Sequence, residues 1–255
     1  MGITHRITDI VSKVAINYIL KERKLFSLIN RYDVIIMKHC FPASDILEDI
    51  ARPDPSSQRK SLENYQAVYR LLRNKFDQYP RTLFIIWTIP PRHRLFQPSE
   101  GTADINAARA TEFSSWLRTD FLIEGGRHSN IFIWDVRDIL MDQESNYLKY
   151  DFEVKHDSPD SHPNPDANNE AGPQFAEFTV KAISCFFGSE SSASGSKIVF
   201  LHHSTGFNIF NYPALGVPAW IKKYNLAAGT KHVISHLWYP VAGNMPVHYY
   251  NSWVN

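Results

Sequence analysis

Apolar positions along this chain fall into two patterns. The first is a set of short continuous runs: Asp33–Met37, Thr82–Trp87, Asn130–Trp134 and Lys197–Leu201. Runs of this length with little alternation predict strands buried on both faces of a parallel sheet. Lys231–Ser235 predicts a last short strand. The second pattern is amphipathic. Residues 6–30 predict a helix with Ile7, Ile10, Val11, Val14, Ile16 and Ile19 on its apolar side. Ser61 is a candidate N-cap for a helix reaching Tyr79, where Pro80 stops it. Asp104–Phe121 reads as a helix turning Ala107, Ala108, Phe113, Trp116 and Leu117 inward. Further helices are predicted over Phe175–Phe187 and near Pro218–Tyr224, whereas aromatic Tyr249–Asn255 suggests no defined element. Strands alternating with helices imply βαβ units, a mostly parallel sheet and right-handed crossovers.

In such a sheet, functional residues collect beyond the C-terminal ends of the strands. Ser204, Lys38 and the Thr88–Pro91 turn all follow predicted strands, so they should share one rim. Pro90 and Pro91 cannot continue a sheet strand. Ser204 lies in Leu201–Gly206, directly after two histidines; in the loop Asp160–Asn164, His162 stands two residues after Asp160. A hydroxyl, an imidazole and a carboxylate are the parts of nucleophilic acyl transfer, with Ser204 attacking, His162 as base and Asp160 orienting the ring. Asp157 is the rival acid. The alternative for Ser204 is a helix N-cap, and for His162 an ordinary loop histidine.

Composition removes several other classes. Lys plus Arg total 27 and Asp plus Glu 26, for a formal charge of +1. That balance gives no sign of a nucleic-acid or anionic-membrane partner. No run of about 18 apolar residues predicts a membrane span, and the first residues lack the apolar core of a signal peptide. His202 and His203 are adjacent, so an extended backbone points them to opposite sides; without a third ligand at suitable spacing, no metal is expected. No cofactor is implied. Cys40 and Cys185 define no disulfide framework and are expected as buried free thiols. Trp87, Arg92 and His93 are candidates for the rim, with Trp87 favoured for the core.

Phe200–Gly206 and Asp160–Asn164 together resemble the nucleophile and histidine blocks of the SGNH (GDSL-like) hydrolase superfamily. The blocks stand in reversed order. The resemblance therefore implies one circularly permuted domain over residues 1–255, on a three-layer α/β/α flavodoxin-like fold. Residues 1–187 would be the C-terminal portion of the unpermuted fold, 188–196 a Gly/Ser-rich flexible linker, natural or engineered, and 197–255 the portion carrying the nucleophile. Residues 1 and 255 would then lie close together; a fragment of a tandem protein is the alternative. The Asp-x-His spacing looks like that of the SGNH-like glycan O-acetyltransferases. The family's Asn-bearing block is replaced by Lys38–Ser44, and Gly243 is a candidate for its glycine block. Candidate oxyanion or substrate groups are Gly206, Lys38, Asn244 and Ser44, with Asn208 a further one. The implied activity is a serine esterase removing acetyl from a carbohydrate ester, without cofactor. A glycan O-acetyltransferase or a non-catalytic glycan-binding module is the alternative. Compartment and oligomeric state stay open.

Overall fold

The computed structural model describes residues 24–49, 52–188, 194–211, 216–240 and 245–254. Among the described residues five strands form one all-parallel sheet: β1 (Val34–Met37), β2 (Leu83–Trp87), β3 (Ile131–Trp134), β4 (Lys197–His202) and β5 (Val233–Trp238), in the order β3-β2-β1-β4-β5. The helices are α1 (Leu25–Ile29), α2 (Leu62–Phe76), α3 (Ala103–Arg118), α4 (Val136–Leu140), α5 (Pro165–Phe187), α6 (Ser204–Asn211), α7 (Val217–Ala228) and α8 (Pro246–Trp253).

Strand periodicity divides the core into two layers. Ile35, Met37, Phe84, Ile86, Val199 and Leu201 face one side, packed against α2, α3 and α8. Val34, Ile36, Ile85, Trp87, Ile198 and Phe200 face the other, packed against α4–α7. Here Trp87 meets Trp134, Phe175 and Phe200 at ring-centroid distances of 4.3, 4.6 and 4.8 Å. Each such fully buried side chain stabilises by about 1.5–3 kcal/mol. The chain is thus an α/β protein with a five-stranded parallel sheet flanked by helices on both faces.

The placement of helices follows from crossover chirality. From β1 the chain steps outward to β2 and β3, with α2 and α3 on one face. From β4 it steps the opposite way to β5, with α6 and α7 on the other face. Right-handed crossovers running in opposite directions must lie on opposite faces. The reversal falls between the paired strands β1 and β4. In doubly wound sheets ligands bind outside the carboxyl ends of strands at such a reversal.

Several sequence expectations are corrected. The helix predicted from Phe175 begins ten residues earlier, at Pro165, with Asn164 as N-cap and Pro173 inside it. Ser204 opens a helix, α6, where a loop was expected. β5 ends at Trp238 and not Ser235, and α7 extends to Ala228. The aromatic C-terminal stretch is helix α8, burying Tyr249 and Trp253. Neither cysteine is in a disulfide; Cys40 is buried as expected, but Cys185 is exposed on α5. Most of the predicted N-terminal helix, the bulk of the 188–196 stretch, and residues 1, 243, 244 and 255 lie outside the described residues.

Candidate active site

Ser204 and Lys38 leave the sheet side by side, because β1 and β4 pair with Met37 opposite Leu201. Lys38 is fully buried. Its stem passes against Gly206, where a Cβ would come within 2.9 Å of Lys38 Cε and 2.7 Å of His202 Cβ. The glycine therefore gives room for the lysine beneath the first turn of α6. Its own N–H donates to His203 O at 2.9 Å and is committed to the helix. Gly206 is thus a spacer and not the oxyanion donor that the sequence suggested.

Cys40, two residues beyond Lys38, is the group the sequence reading missed. Its Sγ lies 3.1 Å from both Ser204 Oγ and Thr205 Oγ1. Burial pushes the thiol up, but the Lys38 charge, the two hydroxyls and the Thr205 backbone N–H outweigh it and hold the thiol below its ordinary value. The sulfur thus sits where the start of α6 collects hydrogen-bond donors, a place suited to negative charge. Burial lowers Lys38 to about 8, against the opposing pull of Cys40.

The histidine loop reaches the same rim through several fixed contacts. His93 N donates to Ser161 Oγ at 2.9 Å. Asn164 caps α5 through Ala167 N, and its amide nitrogen donates to Asp151 O at 2.7 Å and Glu153 O at 3.2 Å. His162 Nδ1–H donates to Asp160 Oδ1 at 2.5 Å, and the His162 backbone N–H donates to the same oxygen at 3.1 Å. This tautomer leaves Nε2 bare to accept a proton. Burial pushes the Asp160 carboxyl up, yet these bonds from His162 bring it below its ordinary value. Asp157 is exposed and makes no such bond among the described residues. The His162 ring stands edge-on to Phe41, with centroids 4.9 Å apart.

Consecutive residues of the loop after β1 therefore touch both halves of the predicted constellation: Cys40 contacts Ser204 and Phe41 contacts His162. Ser204 Oγ is paired with Cys40, and no hydrogen bond joins it to His162 among the described residues. Other candidates fall away. Ser44 is buried, with its hydroxyl donating to Phe41 O at 2.6 Å. Arg92 and His93 are buried and hold loops instead of lining the rim: Arg92 donates to Pro42 O at 3.1 Å, and His93 Nε2–H donates to Lys155 O at 3.1 Å. Trp87 is core. Asn208 lies a turn along α6, facing a groove.

The two histidines before Ser204 diverge as their spacing requires. His202 Nε2 accepts from His236 Nδ1–H at 2.9 Å, whereas His203 Nε2–H donates to Pro240 O at 2.7 Å and its ring stacks on Trp238. Among the described residues no cluster of three or more His, Cys, Asp or Glu is placed to hold a metal ion. Burial, then the Lys38 charge and His236, lower His202 to about 3. Between pH 6.5 and that value the unfolded chain binds a proton that the native fold refuses. Stability must therefore fall as pH drops through this window. At about 1.4 kcal/mol per pKa unit the penalty reaches a few kcal/mol. Thermal melts from pH 7 to pH 4 should show a steeper fall in Tm for the native protein than for His202→Phe; equal slopes would remove His202 as the cause.

Comparison with known proteins finds no family model, no curated protein and no solved structure that matches the chain. The fold and the rim define its class alone: an α/β protein with a parallel sheet in which a serine, a cysteine and a buried lysine meet just beyond the ends of β1 and β4.

Proposed function

We propose that the chain is a serine esterase of the SGNH type, circularly permuted, acting on acetylated carbohydrate. The observation that carries this reading is the packing of Ser204 and of the His162–Asp160 pair on adjacent residues of one loop. The strand order supports it too. Counted from β4, the order becomes 2-1-3-4-5, the doubly wound order of flavodoxin-like sheets.

In the proposed reaction, Ser204 turns about χ1 from Cys40 towards His162, another staggered rotamer of the same side chain. His162 Nε2 takes its proton as the oxygen attacks the ester carbonyl. Asp160 stabilises the imidazolium. The proton then passes to the leaving alcohol, and water repeats the sequence to release acetate. Lys38, buried beneath Gly206, supplies positive charge for the oxyanion in place of the family's asparagine.

A glycan O-acetyltransferase would use the same three side chains. The esterase reading predicts free acetate from an acetyl ester in the absence of any sugar acceptor. Acetate released only when an acceptor sugar is added, with acetylated sugar as the main product, would replace it with the transferase.

A further inference from the structure

A carboxylate with no exposed surface stands at the foot of the histidine loop. Glu153 forms an antiparallel bridge with Pro163, and its backbone carbonyl accepts from Asn164 Nδ2 at 3.2 Å. These residues close the loop that carries Asp160 and His162. Between them the chain is mostly exposed, at Val154, Lys155, His156, Asp157 and Pro159. The bond from His162 to Asp160 joins two residues of this one loop and cannot fix where the loop stands. Placement of the pair therefore depends on what ties the loop to the rest of the protein.

The Glu153 side chain is fully buried and is met from two directions. Within its own loop, His156 Nδ1–H donates to Oε2 at 2.9 Å. From the loop after β2, His93 Nε2 lies 3.1 Å from Oε2 and Arg94 Nε lies 3.2 Å from Oε1. Leu95 N–H donates to His93 Nδ1 at 3.0 Å, which puts the ring proton on Nε2, shared between Glu153 and Lys155 O. Arg94 Nη2 also donates to His156 O at 2.8 Å. The backbone N–H of the same His93 donates to Ser161 Oγ, and Ser161 stands in sequence between Asp160 and His162. A buried carboxylate is costly unless its oxygens are paired, so the fold resists any movement that separates these groups. The carboxylate thus fixes His93, and His93 fixes the residue flanked by the proposed acid and base.

We propose that Glu153 is a positioning residue for the His162–Asp160 pair, acting through His93 and Ser161 to fix their loop on the rim. The proposal rests on the esterase reading for what the pair does, but its claim about the His162 ring stands apart from turnover. Proton transfer needs groups held in near-attack geometry, and a misplacement of about 1 Å can cost on the order of 10²-fold. Binding of an ester does not need the imidazole, whereas moving the proton does. Loss of Glu153 should therefore act on kcat and leave KM nearly unchanged.

The test compares Glu153→Ala and the milder Glu153→Gln, which keeps the shape and one acceptor oxygen, with Glu124→Ala. Glu124 pairs with Arg70 at 2.7 Å in the segment leading into β3, at the opposite edge of the sheet, and so controls for a general loss of stability. Two quantities are read beside thermal melts. The ring ¹⁵N shifts of His162, assigned against His162→Ala at a pH well above the ordinary histidine value, report which nitrogen carries the proton. Hydrolysis of p-nitrophenyl acetate by each protein, and by Ser204→Ala, gives kcat and KM. The expected result is an Nδ1–H tautomer in the native protein and in Glu124→Ala, a mixture of tautomers in Glu153→Ala, and kcat in Glu153→Ala lower by about 10²-fold at similar KM. Glu153→Gln should fall between native and Glu153→Ala in both readouts. A native-like tautomer and kcat in the folded Glu153 variants, or changes no larger than those in Glu124→Ala, would overturn the positioning role and leave the esterase reading standing. A tautomer that depends on Glu153 in a protein without Ser204-dependent hydrolysis would uphold the positioning role and end the esterase reading.

Discussion

Replacing Ser204 by Ala should abolish release of acetate from an acetyl ester while leaving the protein folded. Removing the nucleophile from a unit of this kind costs on the order of 10⁶-fold in kcat, so the remaining rate should be background. The fold loses little. Ser204 is half-buried, and its hydroxyl makes one bond to Cys40 among the described residues. A neutral hydrogen bond contributes about 1 kcal/mol, or a fall in Tm of about 2–4 °C in a chain of this size. The pairing of full inactivation with a near-native melt separates a reacting hydroxyl from a helix-capping one. A cap serine would show the small stability loss and no loss of rate.

Lys38→Met is the second large effect. It keeps the length of the buried stem and removes the charge. If Lys38 stabilises the oxyanion, kcat should fall about 10²–10³-fold, the usual cost of one such donor, with KM for the acetyl ester little changed. The native lysine, lowered to about 8 by burial, carries its charge below that pH and loses it above. On the esterase reading, the activity of the native protein should therefore decline on the alkaline side of pH 8, and the residual activity of Lys38→Met should lack that decline. Stability should move the other way. Between about 8 and the ordinary value of 10.5 the unfolded chain holds a proton that the native lysine has lost, so the native contribution at neutral pH is unfavourable. Replacing a buried charge by an apolar chain of similar volume is often neutral or stabilising, and Tm should not fall. Unchanged kcat with a lower Tm would make Lys38 a packing residue only.

The parallel strands were legible in sequence because burial on both faces leaves nothing but apolar residues. Val34–Met37 and Leu83–Trp87 are completely buried, and the predicted runs match them closely. β5 was less so, since an edge strand with His236 and partly exposed positions breaks the run. The first half of α5 was hidden by Pro173 and Gly172, which read as interruptions, although Asn164 followed by Pro165 is an N-cap and N1 signature that was available. α6 was hidden because Ser204, Thr205 and Gly206 look like a turn. Their helical fold lets Gly206 ride over Lys38.

At the site, Asp160 and His162 were readable because they pair locally, two residues apart. Cys40 was not. Its contacts to Ser204 and Thr205 join positions about 160 residues apart along the chain (164 and 165 apart), and they arise from the pairing of β1 with β4. No local spacing encodes that meeting. The buried position of Ser44, bonded to Phe41 O, likewise depends on the turn it closes and not on its residue type.

The central claim is that Ser204, activated by His162, is the group that becomes acylated. Treatment with a fluorophosphonate followed by peptide mapping measures this most directly. The account predicts a covalent adduct on the Ser204 peptide, absent from Ser204→Ala and formed far more slowly in His162→Ala. Failure of the folded native protein to label, or an adduct carried by Cys40 with Ser204 untouched, would contradict it.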